Sequence, residues 1–305
     1  MYKKISLVLA AISILSSCTT ADPSAKKDQG DNPRVAPPPE KPEAVHTRFN
    51  AWVMVGNDSL RKVFKKQFTP RQLHIIWSIN RIDADHFKQA DTLLVPDRFG
   101  NNLLAYTPFP FQVKALSDVH KIALFDYGIQ AYALYENGYL VKWGPTSMGS
   151  KSHPTPTGLF FTNWKGEEVQ STFDDEWILR WNFNVANKAG IGWHQYALPG
   201  YPASHSCLRL LEADARWMYD WADEWILKDN ETQLAKGTPV IVYGVYPFGA
   251  RKPWMHLLED PKATDVKEAD LNKYIQPHLE AILLEQQKRE QVVAASPTAD
   301  TTATP

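Results

Sequence analysis

Cysteine is almost missing: 305 residues contain two, at positions 18 and 207. So few exclude the disulfide-stapled scaffold of a small secreted domain. An excess of positive charge is missing as well, since 33 Lys and Arg stand against 34 Asp and Glu for a net charge of -1. With no dense Lys/Arg run, the chain lacks the basic footprint that phosphate binding needs, and nucleic acid is excluded as a partner. What is abundant is apolar and aromatic. A hydrophobic share of 44% is ample for the core of one large domain or two modest ones. Eleven Trp and twelve Tyr fit a core and sheet surfaces, or a groove for extended ligands.

The first eighteen residues, MYKKISLVLAAISILSSC, join a basic start at Lys3 and Lys4 to an apolar run too short to span a bilayer comfortably, the pattern of an export signal. Its end, LSSC, resembles the bacterial lipobox. The resemblance implies lipidation of Cys18, which becomes the mature N-terminus and anchors the protein to a membrane through acyl chains. Thr19 after the cysteine points to the outer membrane, so the expected location is the cell envelope, as a periplasmic lipoprotein. Residues 19–48, polar and rich in proline, read as a disordered tether. With Cys18 blocked, Cys207 is left without a disulfide partner in an oxidising compartment. Its retention there argues for a use.

Residues 49–117 form an accessory module. Leu60, Val63, Phe64 and Phe68 recur at helical spacing after a cap at Asp58 or Ser59, Leu73, Ile76 and Trp77 make a second short helix, and DTLLVPDRF closes as a strand. This order resembles the LysM module, a β-α-α-β domain that binds peptidoglycan glycan strands, although a clean opening strand is not apparent. Residues 118–250 are β-rich. Two strand-like runs flank Asn137-Gly138, which supplies a two-residue hairpin turn, and further strands are expected at 159–162, 178–183 and 238–243. One helix beginning near Leu211 carries an aromatic face of Trp217, Tyr219, Trp221 and Trp225. Residues 251–305 read as a helical extension interrupted at Pro277, followed by a disordered tail. The fold class is mostly β (α+β).

The chemistry concentrates in PASHSCLRL, where Cys207 follows His205 by two residues, with His194 upstream in GWHQY. A thiol of pKa about 8.5 is mostly protonated at neutral pH, and a nearby imidazole that takes its proton makes it a nucleophile for acyl transfer. The helix expected to follow places its N-terminal N–H groups and dipole where they favour a thiolate.

SHSCLRL with the upstream GWH resembles the catalytic motif of the L,D-transpeptidases, and HPTPTG, DARWMYDW and GTPVIVYG extend the resemblance over residues 121–244. It implies a β-sandwich catalytic domain in which Cys207 is the nucleophile, His194 the general base oriented by the backbone carbonyl of Gln195, and His205 a second histidine lining the site. Ser204 falls on the motif Ser/Thr, and Arg209 sits where a substrate carboxylate is held. Ser206 departs from the pattern, standing where the family has glycine; its N–H remains available to an oxyanion, but a positive φ there costs about 1 kcal/mol. The segment between His194 and His205 is also shorter than usual. No cofactor and no metal is implied, although a zinc site on His194, His205, Cys207 and His153 is conceivable.

The expected function is a peptidoglycan L,D-transpeptidase that takes tetrapeptide stems with a diaminopimelate donor through a cysteine thioester. Its partners are stem peptides, glycan strands and the anchoring membrane. Trp164, Trp181 and Trp193 read individually as packing residues, with shaping of the acceptor cleft as the alternative. The alternatives are an L,D-carboxypeptidase or endopeptidase, and an inactive peptidoglycan-binding lipoprotein.

Overall fold

A computed structural model describes residues 39–295 except 44, 46 and 172–176. The export signal, Cys18, most of the tether and the last ten residues lie outside the described residues.

The opening strand that the sequence hides is present. β1 (Phe49–Val53) pairs antiparallel with β2 (Thr92–Pro96) along its whole length, Phe49 opposite Pro96 and Val53 opposite Thr92. Its side chains alternate poorly between apolar and polar, so period-2 reading misses it. Between the strands lie α1 (Asp58–Val63), capped by the side chain of Asn57 rather than Asp58 or Ser59, and α2 (Pro70–Asn80). Thr69 and Gln72 form a reciprocal capping box at the start of α2, with Pro70 at the position where its missing N–H costs nothing. At its far end, Asn80 Nδ2 donates to the carbonyls of Ile76 and Leu94 while its Oδ1 accepts from the Leu94 amide, locking α2 to β2.

The following sheets carry the site. β5 (Tyr139–Pro145), β4 (Ala131–Glu136), β3 (Ile122–Asp126), β13 (Pro239–Tyr243) and β6 (Gly158–Phe161) lie side by side in that order, antiparallel except where β13 runs parallel to β3. Asn137 and Gly138, at φ +48° and +80°, turn β4 into β5 with both central residues in the left-handed region. The second sheet has the order β10 (Leu208–Leu210), β9 (Ile191–Gln195), β8 (Ile178–Ala186) and β7 (Lys165–Gln170). A short hairpin, β11 (Ile226–Lys228) and β12 (Thr232–Ala235), precedes β13.

Phe125, Tyr132, Phe183, Trp193, Leu208 and Val240 are buried in one cluster shared by both sheets, which α3 (Glu212–Trp221) completes with Ala215, Met218 and Trp221. The face of α3 is thus less aromatic than expected: Trp217 is 38% exposed, carrying Lys142 over its ring. Ile75 and Ile79 of α2 and Leu94 of β2 belong to the same cluster, so the N-terminal module shares a core with the sheets.

α4 (Glu268–Ala295) runs unbroken through Pro277, against the interruption read from the sequence. Proline removes one helical hydrogen bond, at about 3 kcal/mol. Leu271, Ile275 and Ile282, buried in a second cluster with Tyr135 and Trp143, and Tyr274, stacked on Tyr243 at 4.6 Å, offset that cost.

Candidate active site

β9 and β10 are paired in parallel, with Trp193 opposite Leu208, His194 opposite Arg209 and Gln195 opposite Leu210. Side chains alternate between faces along a strand. Trp193, Leu208 and Leu210, all fully buried, therefore enter the core, while His194 and Arg209 turn to the opposite face. Cys207, two residues before Arg209, turns with them. Gly192 lies just across from it because no side chain fits there: a Cβ would stand 2.5 Å from the carbonyl oxygen of Phe183 on β8.

This face floors a cavity of about 140 Å³ walled by His194, Tyr196, His205, Cys207 and Arg209 and, from the β7–β8 hairpin, Ser171, Trp177 and Leu179. The cleft tryptophan is Trp177, which no pattern in the sequence marks. Of the three read from the sequence, Trp193 alternates into the core beside His194, Trp181 packs against Tyr219 and Arg216, and Trp164 bonds Asn187 through its Nε1 at 2.9 Å.

Each predicted site residue can now be placed. His194 is 3% exposed, and its Nδ1 lies 3.0 Å from the carbonyl oxygen of Gln195. A carbonyl only accepts, so Nδ1 carries the proton and Nε2 presents a lone pair. Burial lowers the His194 pKa to about 4, with the Arg209 charge adding to the effect and the Gln195 bond opposing it. Burial also pushes the Cys207 thiol up, against the Gly192 amide and the Arg209 charge, which favour thiolate. Both groups are thereby held neutral at pH 7.

The His205 ring packs at a tilt against His153, 4.5 Å between ring centroids, and against Trp177, 5.7 Å away. Burial and the charges of His153 and Arg209 lower its pKa. Arg209 lies over the ring of Tyr196 at 4.5 Å. Its guanidinium lines the cleft, and among the described residues no carboxylate comes within ion-pair distance of it.

Ser206 has φ +79°, the left-handed region where a side chain is strained. Its Oγ is held by the carbonyls of Pro154 at 3.0 Å and His153 at 3.3 Å, and its own carbonyl accepts from Thr155 Oγ1 at 2.9 Å. Ser204 Oγ donates to the Cys207 carbonyl at 2.6 Å and closes the turn from inside. The helix-dipole expectation is corrected. β10 stands between Cys207 and α3, whose first residue is Glu212, so the helix terminus does not meet the sulfur.

A buried histidine and a thiol thus line one cleft on paired strands of a mixed-sheet domain. Residues 121–242, which hold the whole cleft, match the YkuD family model, the L,D-transpeptidase catalytic domain. Among solved structures, an L,D-transpeptidase from Stackebrandtia nassauensis is similar at 23% identity over 42% of this chain and 57% of that one, with a TM-score of 0.35. One from Mycobacterium smegmatis is similar at 21% identity over 41% and 58%, TM-score 0.32, and one from Mycobacterium tuberculosis H37Rv at 20% over 50% and 71%, TM-score 0.32. The match thus spans under two thirds of the first two. No curated protein matches the chain.

Proposed function

We propose that this protein is a peptidoglycan L,D-transpeptidase working through a thioester on Cys207. The observation that carries the reading is the β9–β10 register, which puts Cys207, His194 and Arg209 on one face of one cavity. Arg209 receives a stem-peptide carboxylate. Cys207 Sγ attacks the diaminopimelate carbonyl as its proton passes to His194 Nε2, and the N–H of Ser206 faces the developing oxyanion. Collapse breaks the peptide bond; D-alanine leaves with the proton from His194, and the acyl group stays on sulfur. An acceptor amine then attacks the thioester, gives its proton to His194 and releases the sulfur, which recovers that proton.

Because burial keeps thiol and imidazole neutral, proton transfer accompanies attack on bound substrate, and no standing thiolate is exposed to oxidants. We further assign the protein to the cell envelope as a lipoprotein anchored through Cys18. That assignment rests on the LSSC pattern.

The test is incubation of the protein lacking residues 1–18 with disaccharide-tetrapeptides, beside Cys207→Ala, with products read by mass spectrometry. Cross-linked dimers absent from the variant establish transfer to an amine. Tripeptide with free D-alanine makes water the acceptor, and intact tetrapeptide from the wild type overturns the reading.

A further inference from the structure

The segment that joins the histidine strand to the cysteine, residues 196–207, is fastened from two sides. Its own domain holds one: Ser147 Oγ donates to the Tyr201 carbonyl at 2.8 Å and accepts from the Ala203 amide at 3.2 Å, and the Ser204 amide reaches the Met148 carbonyl at 3.0 Å.

The other side is held from outside the sheets. Directly after α2, Ile82 forms an antiparallel bridge with Pro199. The Asp83 amide donates to the Leu198 carbonyl at 3.1 Å, and Asp83 Oδ2 accepts from the Leu198 amide at 2.7 Å. Leu198 itself is fully buried. At Gly200, φ +82°, the chain bends so close to the end of α2 that a Cβ would sit 3.0 Å from Ile82 Cγ2. The Asp83 carboxylate cannot swing away: Oδ1 accepts from the amides of Asp85 and His86, both at 2.8 Å, and the His86 ring lies 2.8 Å from it.

These contacts fit the shortness of the His194–His205 segment. A loop without slack transmits displacement at Leu198 to its two ends, one carrying the imidazole and the other the thiol. An error of about 1 Å at reacting atoms is enough to lower turnover on the order of 100-fold.

We propose that Asp83 is a positioning residue for the acyl-transfer site, and that the N-terminal module serves as a clamp setting the shape of the 196–207 loop. The proposal builds on the reaction assigned above to Cys207. It gives the module a role inside the active-site architecture that needs no glycan ligand.

The experiment compares full-length wild type with Asp83→Ala and Asp83→Asn in three readouts: amide exchange in residues 196–203, alkylation of Cys207 by iodoacetamide followed on its own peptide, and kcat and KM for D-alanine release. Asp83→Ala is expected to speed exchange in that segment, change the alkylation rate, and lower kcat about 10-fold or more with KM within about 2-fold. Asp83→Asn has one acceptor oxygen for donors that approach both carboxylate oxygens, so it keeps part of the clamp and is expected to give a kcat between those of Asp83→Ala and wild type. Wild-type exchange, alkylation and kcat in a folded Asp83→Ala overturn the clamp, as does a kcat that falls only with the folded fraction read from thermal melts. Should Asp83→Ala not fold, Asp83→Ser is judged on the same terms. If wild type releases no D-alanine, the assigned reaction fails, while exchange and alkylation still decide whether Asp83 sets the loop.

Discussion

His194 donates from Nδ1 to the carbonyl of the residue after it, Gln195, at 3.0 Å, so the ring is oriented by its own strand and needs no carboxylate partner. Replacing it with glutamine is expected to lower kcat by about 10²–10⁴, the range for loss of a general base, with folding retained. Burst and steady-state release of D-alanine measure it. Activity within 10-fold of wild type would remove His194 from the mechanism.

The same burial sets a pH dependence of stability. In the unfolded chain His194 has the ordinary pKa of 6.5; in the fold it is lowered to about 4. Between these values the unfolded state binds the proton that the folded state refuses, so stability falls as pH drops from 6.5 towards 4, by about 3 kcal/mol at the limit. Denaturant melts at pH 7 and 4.5 should show a steeper loss for wild type than for His194→Gln.

The thiol moves the other way. Because burial raises its pKa, the rate of Cys207 alkylation should rise with a midpoint above that of an ordinary thiol. A midpoint below 8, read from iodoacetamide rates between pH 6 and 11, would mean a preformed thiolate and contradict the neutral resting pair.

Ser206 combines a strained φ with a hydroxyl donation, shared between two carbonyls, that alanine cannot make. Ser206→Ala keeps the strain and loses the donation, and should destabilise by about 1–2 kcal/mol; Ser206→Gly relieves the strain and should lie within about 1 kcal/mol of wild type. Urea denaturation of both variants checks the order, and a Gly variant weaker than Ala would refute it.

Asn80 makes three buried hydrogen bonds, two of them across to Leu94 of β2 and one to Ile76 of its own helix. Asn80→Ala leaves the Leu94 amide and carbonyl unpaired and should cost about 2–4 kcal/mol. If the module only decorates the domain, the loss will appear as a separate early transition; a shared core predicts one cooperative melt at lower denaturant.

The cysteine and its histidines were legible in the sequence because they fall within one short stretch whose chemistry depends on residue type and order. The β-rich class and the Asn137-Gly138 turn were legible for the same local reason. Asp83 was not: its partner Leu198 is 115 residues away, and an aspartate after a helix reads as an ordinary capping or solvent residue. Trp177 was not legible, and packing could not be told from cleft lining for Trp193, because which face a strand turns inward is decided by pairing with a neighbour. Pro277 misled in the opposite sense, since its helix is maintained by tertiary packing that no local rule records.

The parallel pairing of β9 with β10 extends over three residue pairs. A slip of one position would turn Leu208 outward and send the sulfur of Cys207 into the hydrophobic interior. Cleft and core are therefore read from a single alignment, like two halves of one lock. Damage at this seam would spoil both at once.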